Sequence, residues 1–403
     1  GFDRPNLYFA VEHPADRNAR LLELISEREG LSGIIYCATR KNVEDVCLLL
    51  NEHGYPATRY HAGLSDDERR LNQDDFVFDR KPVMVATNAF GMGIDKSDVS
   101  YVIHYNMPKN IESYYQEAGR AGRDGSPAEC ILLYSPRDVV TNRFLIGSGE
   151  DNPELTSDER EEVRKQDIGR LNRMTFYCIT GDCLRGYILG YFGEQAPERC
   201  GNCSNCLSDD DAVDVTDDAE KVLNCIAESG ERFGTTVIVD TLRGKRNEKA
   251  ERYGLLGLDC FGALSDRDSA YIRSVIDLLL VKGIAVSEGE YPVLRLTEKG
   301  EKRDLDRLTL RITKKVKKEK APKSAHGNAD PELFAALRSL RTKLSAEEGV
   351  PPYFVFSDAT LTDMAIKHPT TKEEFLSVSG VGNIKAQKYG EAFISAIKNF
   401  PAK

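Results

Sequence analysis

The stretch GIIYCATRKNVEDVCLLLNEHG, residues 33–54, opens on an unbroken apolar run and closes on a glycine. Gly33–Ala38 is too short for a buried helix and is rich in β-branched and aromatic side chains, so it predicts a strand covered on both faces. From Lys41 to His53 the apolar residues recur at helical spacing, and Gly54 is a good residue to end such a helix. The same alternation repeats outward, with VMVAT (83–87), YVIHY (101–105) and CILLY (130–134) as further buried strands. SDDERRL (65–71) opens another helix, with Ser65 as N-cap and Glu68 three residues on, the pattern of a capping box. Strands alternating with helices predict a mostly parallel sheet with helices on both faces. Ligands of such sheets sit at the carboxyl ends of the strands. The loops expected there are TRKN (39–42), TNAFGMGID (87–95) and NMPKN (106–110).

Further along the same domain lies SYYQEAGRAGRDG (113–125). Gln116, Arg120 and Arg123 crowd one short segment, with glycines beside both arginines. Guanidinium forks suit phosphate oxygens, and glycine lets backbone approach a ligand closely. Taken alone the segment also describes a solvated helix end. With the glycine loop that follows a strand at 85–95 it points to a nucleotide-phosphate site, to which backbone N–H groups contribute. The sequence holds no G-x-x-x-x-G-K-[ST] loop and no acidic motif of the Walker-B kind. It has arginines for a phosphate and no cradle to grip one.

With 403 residues the chain is long enough for two to four domains. No apolar run approaches the roughly 18 residues needed to cross a bilayer, and the expected setting is cytoplasmic, without a membrane partner. The chain starts at Gly1 in ordered-looking sequence, without a signal peptide, which suggests a piece of something longer. The net charge of −10 argues weakly against a nucleic-acid partner, but local basic faces decide such binding. DDDAVDVTDD (209–218) reads as a solvated acidic linker, and RITKKVKKEKAPK (311–323) as a basic tether. Residues 218–300 predict two or three short helices followed by a hairpin turning at Glu288–Glu290, an arrangement compatible with a winged helix. Residues 331–400 are helical again.

The ten cysteines, in a chain of cytosolic character, favour thiols or metal over disulfides. Cys200, Cys203 and Cys206 form C-x2-C-x2-C, three thiolates for one tetrahedral ion. Cys183 is the first candidate for the fourth ligand and Cys178, on the same upstream segment, its competitor. A closed four-cysteine zinc site is structural; an iron–sulfur cluster takes the same ligands. Cys37, Cys47, Cys130 and Cys225 sit in apolar surroundings and read as core.

In order and spacing, GIIYCATR, YHAGLS, VMVATNAFGMGID and SYYQEAGRAGRDG resemble motifs IV, IVa, V and VI of superfamily 2 helicases, and specifically the RecQ family. FDRPN (2–6) resembles the start of that family's second RecA-like lobe. CLRGYILGYFGE leading into CGNCSNC resembles its zinc module, and VPPYFVFSDATL with LSVSGVG its helical HRDC domain. The resemblance implies a multidomain α/β plus α chain. Its parts would be a RecA-like parallel lobe (1–148), a four-cysteine zinc-binding helical module (149–208), a winged helix (209–305), a basic linker (306–330) and an HRDC domain (331–403).

It further implies an ATP-dependent 3′–5′ DNA helicase of recombination, repair and replication, whose Walker-type lobe precedes residue 1. ATP and Mg2+ would be held mainly by that lobe, so the chain alone is expected to be inactive. By the resemblance, Arg123 is the arginine finger, Arg120 its partner at the phosphates, and Gln116 couples the site to DNA. Gly93 and Asp95 of the motif V loop are expected at the nucleotide. Thr39, His61 and Thr87 are expected to face single-stranded DNA, Arg267 and Arg273 a duplex, and Tyr353 to stack a base. Expected partners are single-stranded and branched DNA, with a single-stranded-DNA-binding protein as a further candidate. The short acidic wing SEGEYPV is unlike a strand-splitting hairpin. A non-enzymatic DNA-binding module that retains this architecture is the alternative reading.

Overall fold

A computed structural model describes residues 1–90, 96–147, 156–208, 212–288, 293–303, 305, 308–311 and 329–400. The first unit carries six strands: β1 (Leu7–Glu12), β2 (Gly33–Tyr36), β3 (Ala57–Tyr60), β4 (Val83–Ala86), β5 (Tyr101–His104) and β6 (Ala128–Leu133). They form one parallel sheet in the order β1-β6-β5-β2-β4-β3. The helices between them are α1 (Arg17–Ser26), α2 (Arg40–Glu52), α3 (Asp66–Val77) and α4 (Ile111–Ala118), and α5 (Pro136–Gly147) follows β6. Successive strand side chains point to opposite faces, and β2 shows this directly. Ile34 and Tyr36 pack into one core with Tyr114 and Met174, while Ile35 and Cys37 pack into the other with Leu24 and Val46. Burial on both sides explains why the strands read as continuous apolar runs.

The helix expected from Lys41 starts one residue earlier, because Thr39 serves as its N-cap and accepts the Asn42 N–H at 3.1 Å. Ser65 and Glu68 form the expected capping box. Gly54 follows α2 at φ 82°.

A second unit comprises α6 (Ser157–Ile179), α7 (Leu184–Tyr191) and the one-turn α8 (Ser204–Leu207). It shares a core with the sheet: Leu171, Met174, Tyr177, Leu184 and Ile188 lie in the same apolar cluster as Leu7, Phe9 and Tyr114. Cys203 even bridges Phe9 of β1 as a parallel strand contact.

The next unit begins with β7 (Ala212–Asp214), α9 (Thr216–Glu228), α10 (Thr235–Leu242), α11 (Glu248–Arg252) and α12 (Ser269–Val281). The hairpin β8 (Ala285–Glu288) and β9 (Val293–Leu296) follows, then α13 (Glu298–Glu301) and β10 (Thr309–Arg311). Helices thus outnumber the two or three expected; residues 289–290 of the anticipated turn lie outside the described residues. The acidic run at 209–218 is more than a linker. Ala212–Asp214 pairs antiparallel with Thr309–Arg311, because Val215 and Leu308, which flank the pair, are both buried in this unit's core.

The last unit packs α14 (Pro331–Glu348), α15 (Pro352–Val355), α16 (Asp358–Lys367), α17 (Lys372–Leu376) and α18 (Asn383–Lys398) around Phe356, Phe375 and Phe393. No described helix is long and apolar enough to cross a membrane.

Candidate functional site

The carboxyl edge of the sheet is organised by Tyr36, the last residue of β2. Its hydroxyl donates to the Phe90 carbonyl at 3.0 Å, at the mouth of the glycine loop. Its ring stacks on His104 of β5 at 5.5 Å, and His104 Nε2 lies 2.9 Å from Glu117 Oε2 on α4. Burial pushes the Tyr36 phenol far above its ordinary value, against the pull of Arg120, whose guanidinium hydrogen-bonds it; the charge of Arg123 acts on it too. Tyr36 is therefore where the glycine loop and the arginine segment meet. Arg120 is 6% exposed, whereas Gln116 and Arg123 are exposed. Gly93 and Asp95 lie outside the described residues.

The arginine turn is shaped from the chain's first residues. Helix α4 stops at Ala118, which leaves its last carbonyls without intrahelical partners. The Arg4 guanidinium takes the carbonyls of Gly119, Ala121 and Gly122 at 3.4, 3.1 and 2.8 Å. Asn6 Nδ2 takes those of Gly122 and Ser126 at 2.9 and 2.8 Å. Gly122 adopts φ 55°, and a Cβ there would come within 2.5 Å of Asn6 Nδ2 and 2.6 Å of Ser126 O. Beside this edge, Asn106 donates to Asp138 and accepts the Ala38 N–H, each at 3.1 Å. The result is a cavity of about 270 Å3 that Tyr36, Asn88, His104, Asn106 and Glu117 help to line. Tyr36, His104, Glu117, Arg4 and Asn6 escape the sequence reading, for their pairings join positions up to 120 apart.

The residues expected to meet DNA are spread over three units. The Thr39 hydroxyl donates to Asn42 Oδ1 at 2.7 Å besides capping α2. His61 is buried, with Nε2 2.8 Å from Glu44 Oε1 and Nδ1 accepting the Gly63 N–H. Thr87 is 9% exposed, at the end of β4. Arg267 pairs with Asp218 at 3.1 Å and lies over the Tyr271 ring. Arg273 reaches Thr236 Oγ1 at 3.4 Å. Tyr353, half-buried, lies over the Lys96 ammonium, 5.7 Å from ring centroid to Nζ.

The metal-ligand question has a geometric answer. Sγ atoms of Cys183, Cys200, Cys203 and Cys206 all lie within 4.8 Å of one another; zinc–sulfur bonds of about 2.3 Å place tetrahedral sulfurs roughly 3.8 Å apart. Cys183 caps α7 and Cys203 caps α8, each sulfur accepting a backbone N–H. Cys178 is buried on α6 in the apolar core, which pushes its thiol up, so it is a packing residue. Burial works against a thiolate at Cys206 too, but the Gly201 N–H and neighbouring thiols bring it to about 7. The set suits a structural zinc, closed by four thiolates.

Comparison with known proteins agrees in every unit. Residues 16–125 match the helicase conserved C-terminal domain and residues 136–207 the RecQ zinc-binding domain. Residues 209–321 match the RQC domain and residues 330–397 the HRDC domain. Fold and site thus define the carboxy-terminal part of a helicase: a motif-bearing α/β lobe fused to a four-cysteine module, with RQC and HRDC domains after it. The ATP-dependent DNA helicase RecQ of Bacillus subtilis is 42% identical over 401 residues, covering 99% of this chain and 65% of that protein. The RecQ helicase of Haemophilus influenzae is 37% identical, covering 100% of this chain and 65% of that protein. The chain is similar over its whole length to the carboxy-terminal part of RecQ-family helicases and spans 65% of the length of these two relatives.

Proposed function

We propose that this chain supplies the arginine side of the nucleotide site of an ATP-dependent DNA helicase working 3′ to 5′, with roles in recombination, repair and replication. One observation carries the reading: Tyr36 ties the mouth of the glycine loop to Arg120, while Arg123 stands exposed beside them. Phosphoryl transfer is promoted mainly by positioned positive charge, and an arginine supplied across an interface is worth about 10³–10⁵ in rate. Arg123 is the finger, Arg120 a buried anchor at the phosphates, and Gln116 the link to DNA; Gly93 and Asp95 complete the nucleotide edge. ATP and Mg2+ are gripped mainly by a lobe outside these 403 residues, since the sequence has no Walker-type loop.

Thr39, His61 and Thr87 serve the single strand, and Arg267 and Arg273 a duplex. Tyr353 offers a ring on which a base can stack. In a longer protein carrying the GK[ST] loop, Arg123→Ala should cut ATP turnover by about 10³ or more while ATP binding persists. Unchanged turnover would exclude Arg123 as the finger. The chain alone should show no DNA-stimulated hydrolysis.

A further inference from the structure

Among the described residues, a group of five buried charges lies away from this edge, where the HRDC domain meets the lobe. Lys96 Nζ is 2.7 Å from Asp79 Oδ1 and 3.0 Å from Asp98 Oδ1, all three on the lobe. Arg341 of α14 enters from the HRDC side, with Nη2 3.8 Å from Asp79 Oδ2 and 3.7 Å from Asp98 Oδ2. Its Nη1 lies 2.7 Å from Asp358 Oδ1 and donates to the Phe356 carbonyl at 2.9 Å. The side chains of Lys96 and Arg341 are 0% exposed, Asp98 1%, Asp358 5% and Asp79 6%. Asp79 takes φ 57° to aim its carboxylate inward, where it also accepts the Ser32 hydroxyl. Arg338 adds a cation whose field reaches Asp79. The Phe76 and Tyr353 rings lie 5.6 and 5.7 Å from the ammonium.

Charges are buried at such a junction only when the partner surface brings the opposite charges. The lobe face offers Asp79 and Asp98, the HRDC face Arg341, so each is the other's complement. The fit is incomplete. Among the described residues, Asp98 Oδ1, Asp358 Oδ1 and Arg341 Nη2 meet their partners as ion pairs only, and Asp358 Oδ2 and Arg341 Nε have no hydrogen bond. Partly satisfied buried networks are costly, so this contact is suited to opening. Docking also puts α16 beside Gly125–Pro127, across a cavity of about 170 Å3, just past Arg123.

We propose that these five charges form a releasable latch holding the HRDC domain on the lobe, and that docking and strand capture through Tyr353 exclude one another. The latch stands on the contacts alone; the exclusion rests on the reading of Tyr353 as a base-stacking residue. While docked, Tyr353 spends its ring on Lys96. Release exposes that ring to a base and leaves Arg341 and Asp98 to water.

The test uses the zinc-bound chain of 403 residues, a fluorescent oligo-dT strand and small-angle scattering. Arg341→Gln, and independently Asp98→Asn on the lobe side, should raise the radius of gyration. If the docked form leaves the face open about a tenth of the time, oligo-dT affinity should rise roughly tenfold. Adding Tyr353→Ala should remove that gain. Asp98→Asn leaves the HRDC domain intact, so release in that variant cannot come from misfolding of the domain. Unchanged scattering in both variants overturns the latch. Release with no gain in affinity overturns the exclusion, and Tyr353→Ala then separates the causes. Equal loss of binding in latched and released chains keeps Tyr353 as a DNA contact; no loss in either removes it.

Discussion

Gly122 shows how much one missing side chain decides. At φ 55° it lets the Ala121–Gly122 carbonyls turn back onto Arg4 and Asn6, and a methyl group would collide with both Asn6 and Ser126. Gly122→Ala should cost about 1–3 kcal/mol, read as a lower Tm, and should displace Arg123. The two arginines and their glycines stood out in the sequence because guanidinium beside glycine suits a phosphate once read together with the glycine loop at 85–95. Arg4 and Asn6 were not, since nothing local marks a side chain that caps carbonyls more than a hundred residues away. Asp277 on α12 illustrates the same limit. Burial pushes its carboxyl up to about 6, and Arg273 and Arg143 offset this only in part. The folded form holds its proton more tightly than the unfolded, so stability from this group falls as pH rises from about 4 to 6 and is level above. Asp277→Asn should erase that slope and stabilise the chain at pH 7.5 by roughly 1 kcal/mol, as thermal melts across pH will show.

Among elements, α7 and α8 depend on four thiols and on the sheet together. The C-x2-C-x2-C spacing revealed three ligands, and Cys183, on a helical segment just upstream, was the first candidate for the fourth. The rival Cys178 could be set aside only in three dimensions, where it faces the apolar core instead of the other sulfurs. Equally hidden was the joint core, with Phe9 of β1 bridged to Cys203. Thiolate coordination is coupled to folding, so chelation or Cys203→Ser should unfold α7 and α8. Because their core is also the lobe's, melting should show lobe and module losing stability in one step, by several kcal/mol. Metal analysis should return one zinc per chain. Two separate transitions with an unshifted lobe would contradict the shared core.

For the molecule as a whole, the order of units could be read along the chain because each carries its own periodicity and motifs. Their apposition could not: Asp79 and Arg341 become neighbours only when two domains close on each other. Buried pairs are screened far less than surface ones, so the docked arrangement should survive about 0.5 M salt, whereas DNA affinity should fall steeply through counterion release. Scattering and anisotropy over one salt series will separate the two. The opening residues do similar long-range work. Arg185 of α7 donates to the carbonyls of Arg4 and Leu7, and to Asp3, while Arg4 holds the arginine turn. The first seven residues are thus a tie-rod strung between the sulfur cage and the arginine turn. Loosening the cage would slacken it, and with it the grip of Arg4 on the arginine turn.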